Sequence, residues 1–357
     1  MSRTPRPMSA PMGNRTPNTF GSVRQMRVPK AITEDDLVMP FKHTSNAEVT
    51  WVIGMDGSRL AFRCLRLASM MMTLRGKHDL LVLHLSDEKA ERESMLLESK
   101  CQEEARKCGI PYRNFAFKTL TRPAGWSVAQ TLIYFANQCA GYRARLVIGA
   151  QGVRLDDEKG DRAMDWLGAV ATECMAKVKV PLVVVKQPWG NVQGERNPLG
   201  RVLRYGRNGT NGLKIVVCVD STMLSMQVFS FAAGLLRPDD RLVALYVAGT
   251  NKNRVVGDQA DAMVRSTYTA ECAKIEFSVK GIQSAEFMAV PHNHNGKKSI
   301  GSDILEATEN AEADLLFMGS VELSNPERKH QLGSICAWVA KYTTSHLCII
   351  KNVSLQS

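Results

Sequence analysis

Two stretches of this 357-residue chain carry the residue types of an anion cradle at matching positions. In the later one, the apolar run Leu315–Met318 ends in Gly319-Ser320, and Leu332-Gly333-Ser334 opens a helical pattern that runs to Thr343. In the earlier one, Leu146–Ile148 ends in Gly149, Gly152 follows, and Leu167-Gly168-Ala169 lies in a helical pattern over 165–177. A glycine directly after a buried strand, with a helix starting beyond it, is where an α/β fold binds anions. The helix amides point at the charge there and the macrodipole favours it. Other chemistry has no motif in this chain. There is no nucleophile elbow, no Walker lysine and no His-Glu-x-x-His helix. His292 and His294 stand two apart without a third ligand and read as polar loop residues rather than a metal site. His84 ends a strand and faces a polar edge.

The elements that must position these residues recur twice. In the first half, the expected strands are Val49–Met55, Asp79–Leu85, Arg113–Leu120, Arg145–Gly149 and Pro181–Lys186. Helical patterns lie between them at 60–74, 88–108, 126–140 and 165–177. Asp56 follows the first strand. In the second half, the strands are Leu213–Val219, Arg241–Val247, Ala285–Val290, Ala313–Met318 and His346–Lys351. Their helices lie at 223–236, 258–280, 299–311 and 333–343. Asp220 follows the first of these strands. Asp56 and Asp220 are 164 positions apart; Gly168 and Gly333, like Lys186 and Lys351, are 165 apart. Strict strand–helix alternation predicts an α/β fold of parallel sheets covered on both faces, and the repeated register predicts an internal duplication. The domains expected are 47–187 and 213–353.

Composition narrows the class. The net charge of +11 is concentrated outside the repeats. Residues 1–33 contribute six Lys or Arg and no acid, and the Gly- and Arg-rich linker 188–212 holds Arg196, Arg201, Arg204 and Arg207 against Glu195. The proline-rich tail 1–46 buries too little apolar surface to fold and reads as disordered. Tail and linker are candidate contact points for protein partners, and a nucleic-acid role is not expected. No apolar run approaches a membrane span and no signal peptide opens the chain. Nine cysteines without metal-type spacing fit thiols in a reducing, cytoplasmic compartment.

At the repeated residues the chain resembles the universal stress protein family in tandem form. That family has an Asp after strand one, Gly-x2-Gly-x9-Gly-(Ser/Thr) after strand four, and a Pro-Val-Leu-like last strand. Asp56 and Asp220 match the first feature, Leu332-Gly333-Ser334 the closing Gly-Ser, and Pro181–Val185 the last strand. The resemblance implies two five-stranded doubly wound sheets of order 3-2-1-4-5, of the adenine nucleotide α-hydrolase-like class. It also implies pairing through strand five, within the chain or between chains. Many members bind ATP and others do not.

The expected ligand is therefore ATP or another adenine nucleotide, with or without Mg, or none. In the second half its contacts are Asp220, Val247, Gly319, Ser320, Gly333 and Ser334. In the first half they are Asp56, Gly149, Gly152 and Gly168. The family places the strand-one Asp on ribose hydroxyls. Both halves depart from the pattern. In the first, fifteen residues rather than nine separate Gly152 from Gly168, the hydroxyl position is Ala169, and Asp156, Asp157, Glu158 and Asp161 fill the loop. In the second, Glu322 replaces a glycine, ten residues separate it from Gly333, and Arg328 and Lys329 share its loop. The expected function is a non-enzymatic nucleotide sensor or stress-response interaction module, with the second half the better pocket. The alternatives are a scaffold with both pockets lost, and a slow ATP hydrolase.

Overall fold

The computed structural model describes residues 49–72, 78–86, 91–138, 144–151, 167–186, 212–249, 254–292, 299–320 and 332–351. The tail 1–46, most of the linker, Gly152, His294 and the loop holding Glu322, Arg328 and Lys329 lie outside them. The first half contains β1 (Val49–Met55), α1 (Arg59–Met71), β2 (His78–Ser86), α2 (Glu91–Lys107), β3 (Phe115–Thr121), α3 (Val128–Gln138), β4 (Ala144–Gly149), α4 (Ala169–Lys177) and β5 (Leu182–Val185). The second half contains β6 (Lys214–Cys218), α5 (Met223–Ala233), β7 (Arg241–Ala248), α6 (Arg254–Ser278), β8 (Ser284–Pro291), α7 (Ile300–Asn310), β9 (Leu315–Ser320), α8 (Ser334–Tyr342) and β10 (His346–Lys351).

All ten strands form one sheet of order β3-β2-β1-β4-β5-β10-β9-β6-β7-β8. Each half is parallel and has the expected 3-2-1-4-5 order. Trp51, Val52 and Ile53 in β1 are fully buried, as are Leu80–Leu83 in β2. Consecutive buried residues need a cover on both faces of the sheet, and the helices supply it. In α1, Leu60, Cys64, Leu67, Ala68 and Met71 lie along one buried stripe. The third helix starts at Val128 rather than 126. The Ser127 hydroxyl accepts from the Gln130 amide (3.0 Å), while the Gln130 side chain accepts from the Ser127 amide (2.8 Å). This reciprocal capping box fixes the helix start.

The halves join within the chain. β5 and β10 pair antiparallel, with Leu347 opposite Val184, Cys348 opposite Val183 and Ile349 opposite Leu182. Two lysines lace this seam reciprocally. Lys186 Nζ donates to the Ala340 carbonyl at the end of α8 (2.6 Å), and Lys351 Nζ donates to the Ala176 carbonyl at the end of α4 (2.7 Å). Each cation thus meets the carbonyl-rich, negative end of the other half's helix. Burial pushes the Lys186 ammonium down to about 8. It pushes His346, whose Nδ1 accepts from the Lys186 amide (3.1 Å), down to about 4.

Two arginines bridge the halves on the opposite face. The Arg145 guanidinium lies 5.0 Å from the Trp51 ring and 4.2 Å from the Phe231 ring, a cation–π sandwich between β1 and α5. Arg237, beyond α5, donates to the Ser69 and Met72 carbonyls at the end of α1.

Candidate functional site

The second half gathers its predicted residues into one place. Asp220, Val247, Gly319, Ser320, Gly333 and Ser334 all line a cavity of about 400 Å³ at the carboxyl ends of β6, β7 and β9. This is the end of a doubly wound sheet where ligands sit, and the volume is within the range of small-molecule sites. Leu245, Ile300, Ile304 and Met318 supply apolar wall. Asp220 is the one charged side chain among the described lining residues.

The anion end of the cavity is the start of α8. Gly333 is its N-cap, and no side chain caps the first amides. A Cβ built on Gly333 meets no described atom within 4 Å, so packing of the described residues does not require glycine there. The Gly333 amide leans on the Ser320 hydroxyl at 3.5 Å. Ser320 is buried, and burial pushes the neighbouring Cys336 thiol up to about 12. Exposed helix amides with two neighbouring hydroxyls, Ser320 and Ser334, suit a phosphate oxygen.

The opposite end is set by Asp220. Its Oδ1 accepts from the Thr222 amide (2.8 Å) and hydroxyl (2.5 Å). Oδ2 makes no hydrogen bond among the described residues. Thr222 in turn caps α5, its hydroxyl accepting from the Ser225 amide (3.2 Å). The turn after β7 is fixed by Asp261, which accepts from the Tyr246 hydroxyl and from the Gly249 amide (3.1 Å). Val247 is held between those two anchors.

Gly319 has a different role from the one its position suggests. A Cβ there would lie 2.9 Å from Leu224 Cγ and 3.0 Å from its Cδ2. Close packing of α5 on β9 requires this glycine whether or not a phosphate binds. Gly149 repeats the arrangement in the first half, 3.0 Å from Leu60 Cγ and Cδ2.

The rest of the first half differs. Asp56 ends β1 as expected, and its Oδ1 accepts from the Ser58 amide (2.9 Å). Gly168 caps α4, but its amide donates to the Ala150 carbonyl at 2.6 Å. The position matching Ser320 is Ala150, that matching Ser334 is Ala169, and that matching Cys336 is Ala171. Ala61 occupies the place of Ser225, three residues past each N-cap. Gly152, also expected here, lies outside the described residues.

Two of the candidate histidines, His84 and His292, meet polar partners, and His294 lies outside the described residues. His84 Nδ1 lies 2.9 Å from the Met55 carbonyl, and His292 Nδ1 lies 2.6 Å from Asp303 Oδ2. No cluster of three or more metal-type side chains occurs among the described residues. No described helix is long and apolar enough to cross a membrane. Sequence reading missed Ser225, Tyr268 and the thiols of Cys218 and Cys336. Ser225 carries no motif, and its partner Tyr268 lies 43 positions further on.

Comparison with known proteins follows the same division. The universal stress protein family matches residues 213–351. No curated protein matches the chain by sequence. Among solved structures, a universal stress protein from Archaeoglobus fulgidus DSM 4304 is 13% identical with a TM-score of 0.52. That match covers 86% of this chain and 99% of the other. A functionally unknown protein from Pseudomonas aeruginosa PAO1 gives 13%, 0.52, 85% and 92% in the same terms. A putative universal stress protein from Pseudomonas aeruginosa UCBPP-PA14 gives 12%, 0.52, 86% and 94%. At these identities the likeness is one of fold, and it extends over both halves.

Proposed function

From a chain whose residues 213–351 are a universal stress protein domain, and whose first half repeats that fold in tandem, we propose a non-enzymatic adenine-nucleotide sensor with one working pocket, in the second half. The observation that carries this reading is the convergence of Asp220, Val247, Gly319, Ser320, Gly333 and Ser334 on a single cavity. The apolar walls take the base, Asp220 takes the sugar, and the start of α8 takes phosphate.

The ligand has a short phosphate. The described walls offer amides and hydroxyls but no Lys or Arg, and metal-free ATP near −4 is poorly matched by these neutral donors alone. AMP fits this donor set better than metal-free ATP. The reading is non-enzymatic because the one described ionisable acceptor, Asp220, already spends Oδ1 on Thr222, and among the described residues no second carboxylate or imidazole lines the cavity as a general base.

The first half serves as a scaffold. Its alanines at 61, 150, 169 and 171 remove the polar groups of the second-half cavity, and its helix-capping amide is already satisfied. The experiment is a gentle purification, denaturation and mass spectrometry of released small molecules, followed by calorimetric titration of the emptied protein with AMP, metal-free ATP and Mg-ATP. One adenine nucleotide per chain, with AMP tighter than metal-free ATP, is the expected result. No nucleotide and no heat would overturn the pocket. Release of ADP from added ATP would replace the sensor with a slow hydrolase.

A further inference from the structure

The backbone of Asp220 sits in a closed ring of hydrogen bonds that its own half alone possesses. Its amide donates to Ser225 Oγ (2.8 Å). Ser225 Oγ and Tyr268 Oη are 2.7 Å apart. Tyr268 donates back to the Asp220 carbonyl (3.3 Å). One proton arrangement satisfies all three contacts: amide to serine, serine to tyrosine, tyrosine to carbonyl. Each hydroxyl then donates once and accepts once.

The ring is rigid by position. Ser225 is 4% exposed and Tyr268 is 2% exposed, and the Tyr268 ring packs edge-on against Phe229 with centroids 5.3 Å apart. Water does not compete for buried polar groups of this kind, so breaking one link strands the others. Tyr268 itself does not line the cavity. It reaches Asp220 from α6, through the main chain. The side chain is fixed separately, with Oδ1 held twice by Thr222. What remains is one carboxylate oxygen at a set place on the cavity wall. A carboxylate accepts only, so the group it meets must donate, and the hydroxyls of a sugar do so.

We propose that Ser225 and Tyr268 form a hydroxyl clamp that sets Asp220 as acceptor for the paired hydroxyls of a ligand, making the second-half cavity selective for an intact ribose. They are positioning residues: Ser225 reaches the cavity wall but spends its hydroxyl on the ring, and Tyr268 stands behind the wall. The proposal rests on the reading of this cavity as a nucleotide pocket. The first half supplies an internal contrast. There Ala61 replaces Ser225 and no such ring can close around Asp56.

The test compares AMP with 2′,3′-dideoxy-AMP, by calorimetry, on the full chain and on Tyr268→Phe and Ser225→Ala. The unaltered protein binds AMP more tightly than the dideoxy analogue. Each variant weakens AMP by about five- to tenfold, the weight of one buried hydrogen bond, and leaves the dideoxy affinity unchanged. The double variant is weaker than the poorer single one by no more than about twofold, because both changes open the same ring. Equal weakening of both ligands would make the ring a general structural support and overturn the proposal. So would unchanged AMP affinity, or an unaltered protein that binds the two ligands alike. Binding of neither ligand by the unaltered chain would overturn the pocket itself, and the clamp with it.

Discussion

The two halves agree at their seam and disagree at their ligand ends. Lys186 and Lys351 do the same thing in mirror fashion, each holding the last turn of the other half's helix at 2.6 and 2.7 Å. Gly149 and Gly319 likewise admit the same leucine, Leu60 or Leu224, at about 3 Å. At the helix starts the likeness ends. The second half leaves its N-cap amide 3.5 Å from a hydroxyl, while the first half bonds it to a carbonyl at 2.6 Å. A duplicated fold has to keep what joins its halves and what packs its helices. On the proposed reading, it has to keep a pocket only once.

The largest expected effect is at the seam. Lys186 is depressed from 10.5 to about 8 by burial, so between those values the unfolded chain holds a proton that the folded chain has lost. Folding stability conferred through this residue therefore rises as pH climbs from 8 to 10.5, and its deficit is full below pH 8. The span is about 3 kcal/mol. Lys186→Met removes it. The quantity to measure is the difference in unfolding free energy between the two proteins at each pH, since the thiols that also titrate there are common to both. A flat difference would mean that Lys186 is not held in a dry seam.

Next in size are the paired glycines. Gly149→Ala and Gly319→Ala each press a methyl on a leucine branch point and should each cost about 1–3 kcal/mol of stability by denaturant unfolding. The cost should be somewhat larger at Gly149, where a Cβ would also lie 3.0 Å from the Gln151 carbonyl oxygen. Nucleotide affinity should fall only for Gly319→Ala. A cost in one half and none in the other would break the shared role of the leucine contact.

Asp220 and Asp56 sharpen the contrast at the ligand end. Asp220→Ala should weaken AMP by about ten- to a hundredfold, the weight of hydrogen bonds to a charged group. Asp56→Ala should leave the affinity where it was. If Asp56→Ala does the damage instead, the working pocket has been placed in the wrong half.

Much of this contrast is written locally, and that is why the sequence shows it. Continuous apolar runs such as Leu80–Leu83 and the stripe Leu60, Cys64, Leu67 report their own burial, so ten strands could be expected from one chain, while their order was implied by the family resemblance. The strand-end aspartates and the Gly-Ser helix start could be placed by register. What sequence could not show depends on side chains meeting across distance. Glycine after strand four suggests a phosphate, but Gly319 answers to Leu224, nearly a hundred positions earlier. The ring of Ser225 and Tyr268 joins a helix start to the middle of another helix. The Lys186 and Lys351 register was visible, but not that each crosses to the other half. No local pattern encodes Arg145 between Trp51 and Phe231, because neither ring neighbours it in the chain.

The smallest effect tests the helix starts themselves. Ser320→Ala removes the hydroxyl beside the Gly333 amide and leaves the backbone in place. AMP affinity should fall about two- to fivefold, since a neutral donor at the end of a cradle of amides carries roughly one weak hydrogen bond. The mirror substitution, Ala150→Ser, restores that hydroxyl in the first half. It should create no binding, because the Gly168 amide is already held by the Ala150 carbonyl and would have to be released before any anion could use it. The reasoning turns on the backbone and not on the missing serine. A half whose helix-capping amide is already bonded needs more than a hydroxyl to become a pocket. If calorimetry on Ala150→Ser nevertheless shows a second nucleotide per chain, side-chain loss alone separates the halves, and the 2.6 Å contact counts for nothing.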